Sequence, residues 1–449
     1  MAQGLSIQKF HSQKCVNHFS YPASRAPRMS QFQVKVLRRA DSKGFPDDFD
    51  LTKGRYGFGV SWDQKGGRDV DIDLQCVVVD NKGVIVDCAY YNNLKAPGIT
   101  HSGDESRAKP HGIEELVWVT MRKVPANVQC LVFVVAAYSG GSLNDVANGM
   151  LHILSERESD KIAEFEMERS SASVDVVGVM FRDGAQWKFR IIDEPAQSGQ
   201  HFMDILPLLS QTIRVFIPSA PTKQKVAFAM EKGGILDLPQ NMGKITVGLG
   251  WDVDDGEVDL DVSAVLFDKN GTDLEAVFFG RLESEQHGIQ HSGDNLTGEG
   301  DGDDEQISLD LDRIGPEVHQ VMFVVNIYTG GKNFTQVAAP YCRVVDDTNE
   351  LCRYALRDAG RENGLIVAKI AREAGDRWGF HALGLPCKGR TYKDSVRKMR
   401  EICDTKTSSL VLHTQITMDS FGDPPLDVLD PPARLVGHRR REEKSCCVQ

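Results

Sequence analysis

The chain lacks the usual marks of catalysis and of membrane passage. It has no Cys-x-x-Cys pair, no His-Glu-x-x-His, no Walker A lysine loop and no Gly-x-Ser-x-Gly elbow. These absences leave no sequence-level group for a zinc site, a nucleotide-dependent reaction or serine hydrolysis, and a non-enzymatic protein is expected. Its longest apolar runs, such as Leu131 to Tyr138, fall far short of the roughly 20 residues a spanning helix needs. Acids are missing from the first stretch, where Lys9, Lys14, Arg25, Arg28 and Lys35 precede the first acid, Asp41. That pattern fits a basic, disordered tail better than a transit peptide, because dense arginine and an amphipathic helix are both missing. Positive charge is in short supply overall: the net charge of -12 argues against general nucleic-acid binding. Ten cysteines, scattered singly until the very end, suit a reducing compartment.

What the chain does have is acid in concentrated form. Residues 291–305 carry six carboxylates among glycines, with no lysine or arginine to offset them. Two unit charges about 5 Å apart repel by roughly 0.8 kcal/mol in water, and by several times that at a partly buried site. Calcium relieves such repulsion by taking 6–8 oxygen ligands, although most acidic, glycine-rich runs are simply solvated loops. A second acidic element lies upstream, Asp259-Leu-Asp261, in a segment of period two. Leu260, Val262, Ala264 and Leu266 fall on one face of a strand, and Asp259, Asp261 and Ser263 on the other. A strand-borne acid pair and an acidic loop together make an oxygen cage for a hard cation. The spacing from Asp252 to Asp259 is not an EF-hand, because Gly256 arrives one residue early.

The chain also repeats itself, with a period of roughly 190 residues that marks a domain duplication. Val60-Ser-Trp62-Asp63 followed by Asp71-Ile-Asp73 corresponds to Leu249-Gly-Trp251-Asp252 followed by Asp259-Leu-Asp261. His101-Ser-Gly-Asp104 corresponds to His291-Ser-Gly-Asp294, and Trp187-Lys-Phe to Trp378-Gly-Phe. Short runs rich in Val, Ile and Phe, separated by Asn-Lys-Gly, Lys-Asn-Gly and Gly-Gly turns, predict an all-β-dominated chain of two tandem β-sandwiches. Helix is expected only where charged and apolar residues mix, around Leu351 to Leu356 and Asn363 to Arg372. The expected layout is a tail over 1–31, a first domain over 32–204, a linker over 205–224 containing Pro207, Pro218 and Pro221, a second domain over 225–385, and a flexible tail over 386–449. Trp62 and Trp251 read as core anchors, and His101 and His291 as turn-stabilising hydrogen-bond groups rather than bases.

The series Gly-Leu-Gly-Trp251-Asp, Asp259-Leu-Asp261, Phe-Phe279-Gly, His291-Ser-Gly-Asp294-Asn295, Gly298-Glu-Gly-Asp301-Gly-Asp303-Asp304-Glu305 and Val324-Val-Asn-Ile-Tyr328 resembles the tellurium-resistance TerD family. The resemblance covers roughly 225 to 385, and a weaker one covers about 32 to 200. It implies a calcium-binding, non-enzymatic β-sandwich associated with chemical stress and often working in membrane-associated assemblies. Some eukaryotic relatives are described as cyclic-AMP-binding, so a cyclic-nucleotide-binding protein is one alternative; a scaffold holding structural calcium is another. The expected Ca²⁺ ligands are Asp259, Asp261, Asp294, Asn295, Asp301, Asp303, Asp304 and Glu305. The first copy keeps Asp71, Asp73, Asp104, Glu114 and Glu115. It carries Lys109 opposite Glu299, His111 opposite Asp301 and Ile113 opposite Asp303, however, so weak or no binding is expected there.

The chain ends Ser445-Cys446-Cys447-Val448-Gln449, a cysteine four residues from the end with Gln last, as in a farnesyl-type prenylation box. Cys447 replaces the usual aliphatic residue. It is either a second acylation site or part of a dual-cysteine geranylgeranyl pattern. One lipid anchors weakly, and a basic cluster such as His438 to Arg441 with Lys444, or the stretch Lys388 to Arg400, adds affinity for a membrane surface. The latter stretch reads equally as a solvated helix. The reading is a eukaryotic, cytoplasmic protein, peripheral to a membrane through a lipidated tail, with unnamed protein partners.

Overall fold

A computed structural model describes residues 34–39, 48–65, 70–103, 112–138, 140–253, 258–293, 302–347, 349–356, 360–373 and 376–404. Each half of the chain folds into a seven-stranded sheet packed on a six-stranded one. In the first half the larger sheet runs Lys35–Val36, Arg157–Glu166, Val146–Ser155, Arg55–Gln64, Glu115–Thr120, Ile99–His101, Lys95–Ala96. The smaller runs Phe49–Leu51, Gln186–Pro195, Val174–Asp183, Val128–Ala137, Ile72–Asp80, Ile85–Ala89. The second half repeats both orders strand for strand. The pairing is antiparallel throughout the long strands, which lets each strand bury alternate residues.

That alternation explains the core. In Ile72–Asp80, the side chains of Ile72, Leu74, Cys76 and Val78 enter the space between the sheets, where Phe58, Phe133 and Phe189 stack with centroids 4.3–5.9 Å apart. Val77 and Val79 face the opposite way, into a second cluster. Trp62 and Trp251 are both buried at the corresponding strand ends.

Both segments expected as linker and tail contribute secondary structure. Residues 206–216 form helix α1 (Leu206–Phe216), with Leu209 and Ile213 buried against the outer face of the first small sheet. Residues 392–404 form helix α2 (Tyr392–Asp404), with Met399 and Ile402 buried against Val265, Phe267 and Met322 of the second small sheet. The amphipathic basic stretch is thus a packed helix: Arg400 pairs with Asp273 and Arg397 with Glu401.

The two stretches expected as helix are strands, Glu350–Ala355 and Gly364–Arg372. In the second, Leu365 through Ala371 are all buried, and Lys369, whose charge makes the segment look amphipathic, donates to Gln320 Oε1 at 3.2 Å across the sheet. A paired lysine in a two-face-buried strand mimics helical periodicity, and sheet pairing overrides it.

The two sandwiches share one apolar cluster. It runs from the outer face of the first small sheet through α1 and Phe202 into the interior of the second sandwich. The connecting chain is itself held in place: Ile85 N–H donates to Lys225 O (3.0 Å), Ala227 N–H to Ile85 O (2.8 Å), and Gln224 Nε2 to Gly83 O (2.8 Å).

Candidate functional site

Each sandwich carries the same polar pin. His291 Nδ1 accepts the Gly293 N–H at 3.0 Å, while its Nε2 faces Val262 O at 3.2 Å and lies 3.6 Å from Glu305 Oε2. Glu305 is fully buried, and its Oε2 accepts the Val262 N–H at 2.7 Å. In the first copy His101, Gly103, Leu74 and Glu115 make the same contacts, with 3.0 Å for the turn, 2.8 Å for the carbonyl and 2.6 Å for Leu74 N–H to Glu115. Glu305 and Glu115 therefore point into the sandwich and bind one sheet to the other.

Around this pin the second copy gathers acids at one end of the sandwich. Strands Lys244–Val253, Leu260–Phe267 and Glu305–Asp310 place Asp252 at the end of the first and Asp259 and Asp304 just before the other two. Asp304 Oδ2 accepts the Trp251 N–H at 2.8 Å. Burial, then the nearby Asp252 and Asp303 carboxylates, raise the Asp304 pKa. Asp252, Asp259 and Asp304 are carboxylate oxygen donors, the ligand type a hard metal ion takes. Asp259 marks the edge of its strand, its N–H donating to Thr329 Oγ1 at 3.0 Å and its carbonyl accepting Tyr328 N–H at 2.9 Å. Asp261, buried, instead lines a cavity of about 190 Å³ beside Ser263 and Asn326, under the start of α2.

Asp303 is turned aside. Its oxygens accept Arg343 Nε (2.7 Å) and Nη2 (3.1 Å), Tyr341 OH (3.0 Å) and Gln306 Nε2 (3.1 Å). It lies across Gly248, where a Cβ would come within 2.0 Å of an Asp303 oxygen. The first copy makes a matched exchange here. Ile113 lies across Gly59, and His152 occupies the position of Arg343, bonded to Ser61 Oγ at 2.7 Å. Burial pushes the His152 pKa down to about 4, so the ion pair of one copy becomes an uncharged contact in the other.

Of the remaining expected ligands, Asp294, Asn295, Asp301 and Asp104 lie outside the described residues, as do Cys446 and Cys447. Asp73 and Glu114 are buried, and Asp71 stands at the strand entrance. Among the described residues no group of three or more His, Cys, Asp or Glu is arranged around one metal position, and no helix is long and apolar enough to cross a membrane.

A second polar constellation joins the two sandwiches. Tyr91 OH donates to Asp237 Oδ2 at 2.9 Å, Asn92 Nδ2 to both Asp237 oxygens at 3.1 and 3.2 Å, and Tyr90 OH to Ile235 O at 3.1 Å. His201 Nε2 lies 3.7 Å from Asp237. Burial raises the Asp237 pKa to about 6, against the lowering effect of Tyr91, Arg377 and Asn92, and burial with Arg377 pushes His201 well below its usual range. The paired Tyr90-Tyr91 opposite Phe278-Phe279 was the only available signal.

This tandem sandwich with an acidic rim defines a recognisable class. The model of the TerD domain matches residues 47–203 and 226–392, more than half of the chain. Tellurium resistance protein TerZ of Serratia marcescens is 40% identical over 166 residues, covering 34% of this chain and 85% of TerZ. Stress response protein SCP2 of Bacillus subtilis is 40% identical over 186 residues, covering 35% of this chain and 92% of its own length. General stress protein 16U of the same organism is 35% identical over 180 residues, covering 36% and 93%. A crystal structure of a homologue of telluride resistance protein (TerD) from Streptomyces coelicolor A3(2) is 24% identical, covers 37% of this chain and all of its own, and has a TM-score of 0.32. The chain belongs to the TerD family, with two tandem copies of the domain.

Proposed function

We propose that this protein is a non-enzymatic, calcium-binding stress-response module whose second domain holds Ca²⁺ at the acidic rim. The observation that carries the reading is Asp304, whose carboxyl is pushed upward by burial and by Asp252 and Asp303. A divalent ion relieves the like-charge contact between Asp252 and Asp304, Asp303 being already paired with Arg343. Asp259 and Asp304 are the ligands from the strands, and Asp294, Asn295 and Asp301 complete the set; Asp261, which lines the cavity under the start of α2, stands outside it. Asp303 and Glu305 hold the loop's end, the first through Arg343 and the second through Val262 N–H. The bound ion neutralises the rim and orders a surface on which partners dock. The tail, through Cys446 and Cys447, attaches the protein to the cytoplasmic face of a membrane.

Calorimetric titration of the full chain with CaCl₂ tests this. Saturable binding is expected, abolished by Asp259→Asn with Asp304→Asn and unaffected by Asp71→Asn with Asp73→Asn. Binding that survives the first pair, or no binding to the parent, overturns it. For the anchor, Cys446→Ser is expected to move the protein from the membrane fraction to the soluble one.

A further inference from the structure

The seam between the two domains is a template. On the first domain, the ring pair Tyr91/Tyr138 (5.2 Å), the strand residue Asp73 and the turn before α1 form a dock that the second domain fills with its strand Ile235–Asp237. The second domain carries the same dock. Phe279 and Tyr328 repeat the ring pair (6.3 Å), Asp261 repeats Asp73, and the turn before α2 repeats the turn before α1. The turns match closely. Gly199 and Gly389 both have positive φ (117° and 143°), and Asp204 and Asp394 each accept the backbone N–H that follows the glycine, at 2.9 and 3.0 Å.

This second dock is open. A cavity of about 190 Å³ lies there, walled by Asn326, which is 1% exposed and whose Oδ1 has no hydrogen-bond partner among the described residues. Phe279 and Tyr328 are 39% and 44% exposed, two of the six large apolar side chains so exposed among the described residues. Arg390 and Lys393 stand where the first dock has Gln200 and Met203, and both are exposed; Arg390 lies over the Tyr328 ring at 4.5 Å, its Nε and Nη2 donating to Tyr328 O, which sets its charge at the rim of the dock.

The complementary strand is also present, and among the described residues no strand pairs with its outer edge. Leu51 pairs with Trp187 as Leu238 bonds to Trp378, so Phe49–Leu51 is the first domain's counterpart of Ile235–Asp237, and Asp50 is the counterpart of Asp237. That strand is the outermost of its sheet, and Asp50 is exposed.

We propose that the open dock on the second domain receives the strand Phe49–Leu51 of a second copy of this chain, with Asp50 facing Arg390 and Lys393. The contact repeats the one inside each molecule and extends it from chain to chain. It is heterologous, dock to strand, so it joins molecules head to tail rather than as a closed pair. The basic residues gained in the second dock replace the hydroxyl and amide donors that Phe279 and Gly280 lack relative to Tyr91 and Asn92.

Sedimentation velocity of the full chain over a concentration series tests the contact. The parent is expected to form dimers and larger species as concentration rises. Arg390→Glu, which blocks the dock, and Asp50→Arg, which blocks the strand, are each expected to stay monomeric. An equimolar mixture of the two is expected to associate again, because one variant keeps its strand and the other its dock, and the swapped charges of Arg390→Glu and Asp50→Arg are themselves complementary. Phe279→Ser replaces Arg390→Glu if the latter loses its native circular dichroism. A parent that is monomeric throughout, association that survives both substitutions, or a mixture that stays monomeric overturns the proposal.

Discussion

Arg377 of the second domain reaches Asp204 of the first with both terminal nitrogens, Nη1 to Oδ1 at 3.0 Å and Nη2 to Oδ2 at 2.6 Å. The guanidinium is buried, and its Nη1 also donates to Leu238 O at 2.8 Å. Burial alone would raise the Asp204 pKa, but Arg377 and the N–H groups of Gln200 and Gln240 hold it below the usual carboxylate range.

Removing one partner of this pair strands the other. Arg377→Ala is expected to cost about 3–5 kcal/mol, the range for breaking a buried ion pair from one side. Differential scanning calorimetry checks this: one cooperative transition in the parent is expected to split into two, because the pair lies on the seam. A single transition displaced by less than a degree refutes it.

The carboxylate pin predicts equal effects in the two copies. Glu305→Ala leaves the Val262 N–H without its acceptor, and Glu115→Ala does the same to Leu74. Each is expected to destabilise its domain by about 2–3 kcal/mol, the cost of a buried unsatisfied donor plus the lost contact to histidine. Urea denaturation measures it. If only Glu305→Ala is costly, the residue acts through something the first copy lacks.

Asp175 gives a pH signature. Its carboxyl is buried, and burial followed by the Asp193 charge raises its pKa to about 8, against the lowering effect of Arg39 and the Glu194 N–H. The folded chain thus keeps a proton that the unfolded chain releases near pH 4. The contribution of Asp175 to stability is therefore full below pH 4 and is lost as pH rises towards 8. Asp175→Asn removes this dependence. Its advantage over the parent is expected to grow by roughly 1.4 kcal/mol per pH unit between 5 and 7. Denaturation midpoints across that range that run parallel for the two proteins exclude it.

The exchange of Asp303/Arg343 for Ile113/His152 predicts asymmetric tolerance. Asp303→Ile alone leaves Arg343 facing an apolar group, with Glu350 as its remaining ion-pair partner. Asp303→Ile with Arg343→His reproduces the first copy's arrangement. The double variant is expected to recover at least half of the single variant's loss in thermal midpoint, as coupled neighbours do. Additive losses would show that the two positions do not act together.

Much of this architecture could be read from residues alone, and the reasons are local. Period-two alternation in Leu260–Phe267 and the recurrence of Trp62 and Trp251 each depend on near neighbours, so the sandwiches and the duplication followed. The acidic rim was visible as composition, but not its division of labour. Only the fold reveals that Glu305 turns inward to Val262 and Asp303 sideways to Arg343. Helix α1 was masked by Pro207, which is tolerated in a first helical turn and reads as a breaker when neighbours are unknown. The seam was illegible for a simpler reason: Arg377 and Asp204 are 173 residues apart, and nothing in either neighbourhood announces the other.

That separation also sets a clock. A chain made at about 5–20 residues per second places Arg377 on the ribosome's output roughly 10–35 s after Asp204. During that interval the first sandwich has its full complement of strands, while Asp204 stands without Arg377. A nascent chain therefore passes through a stage with an unmatched carboxylate that the finished protein hides, and neighbouring chains on one message are the nearest things for it to touch.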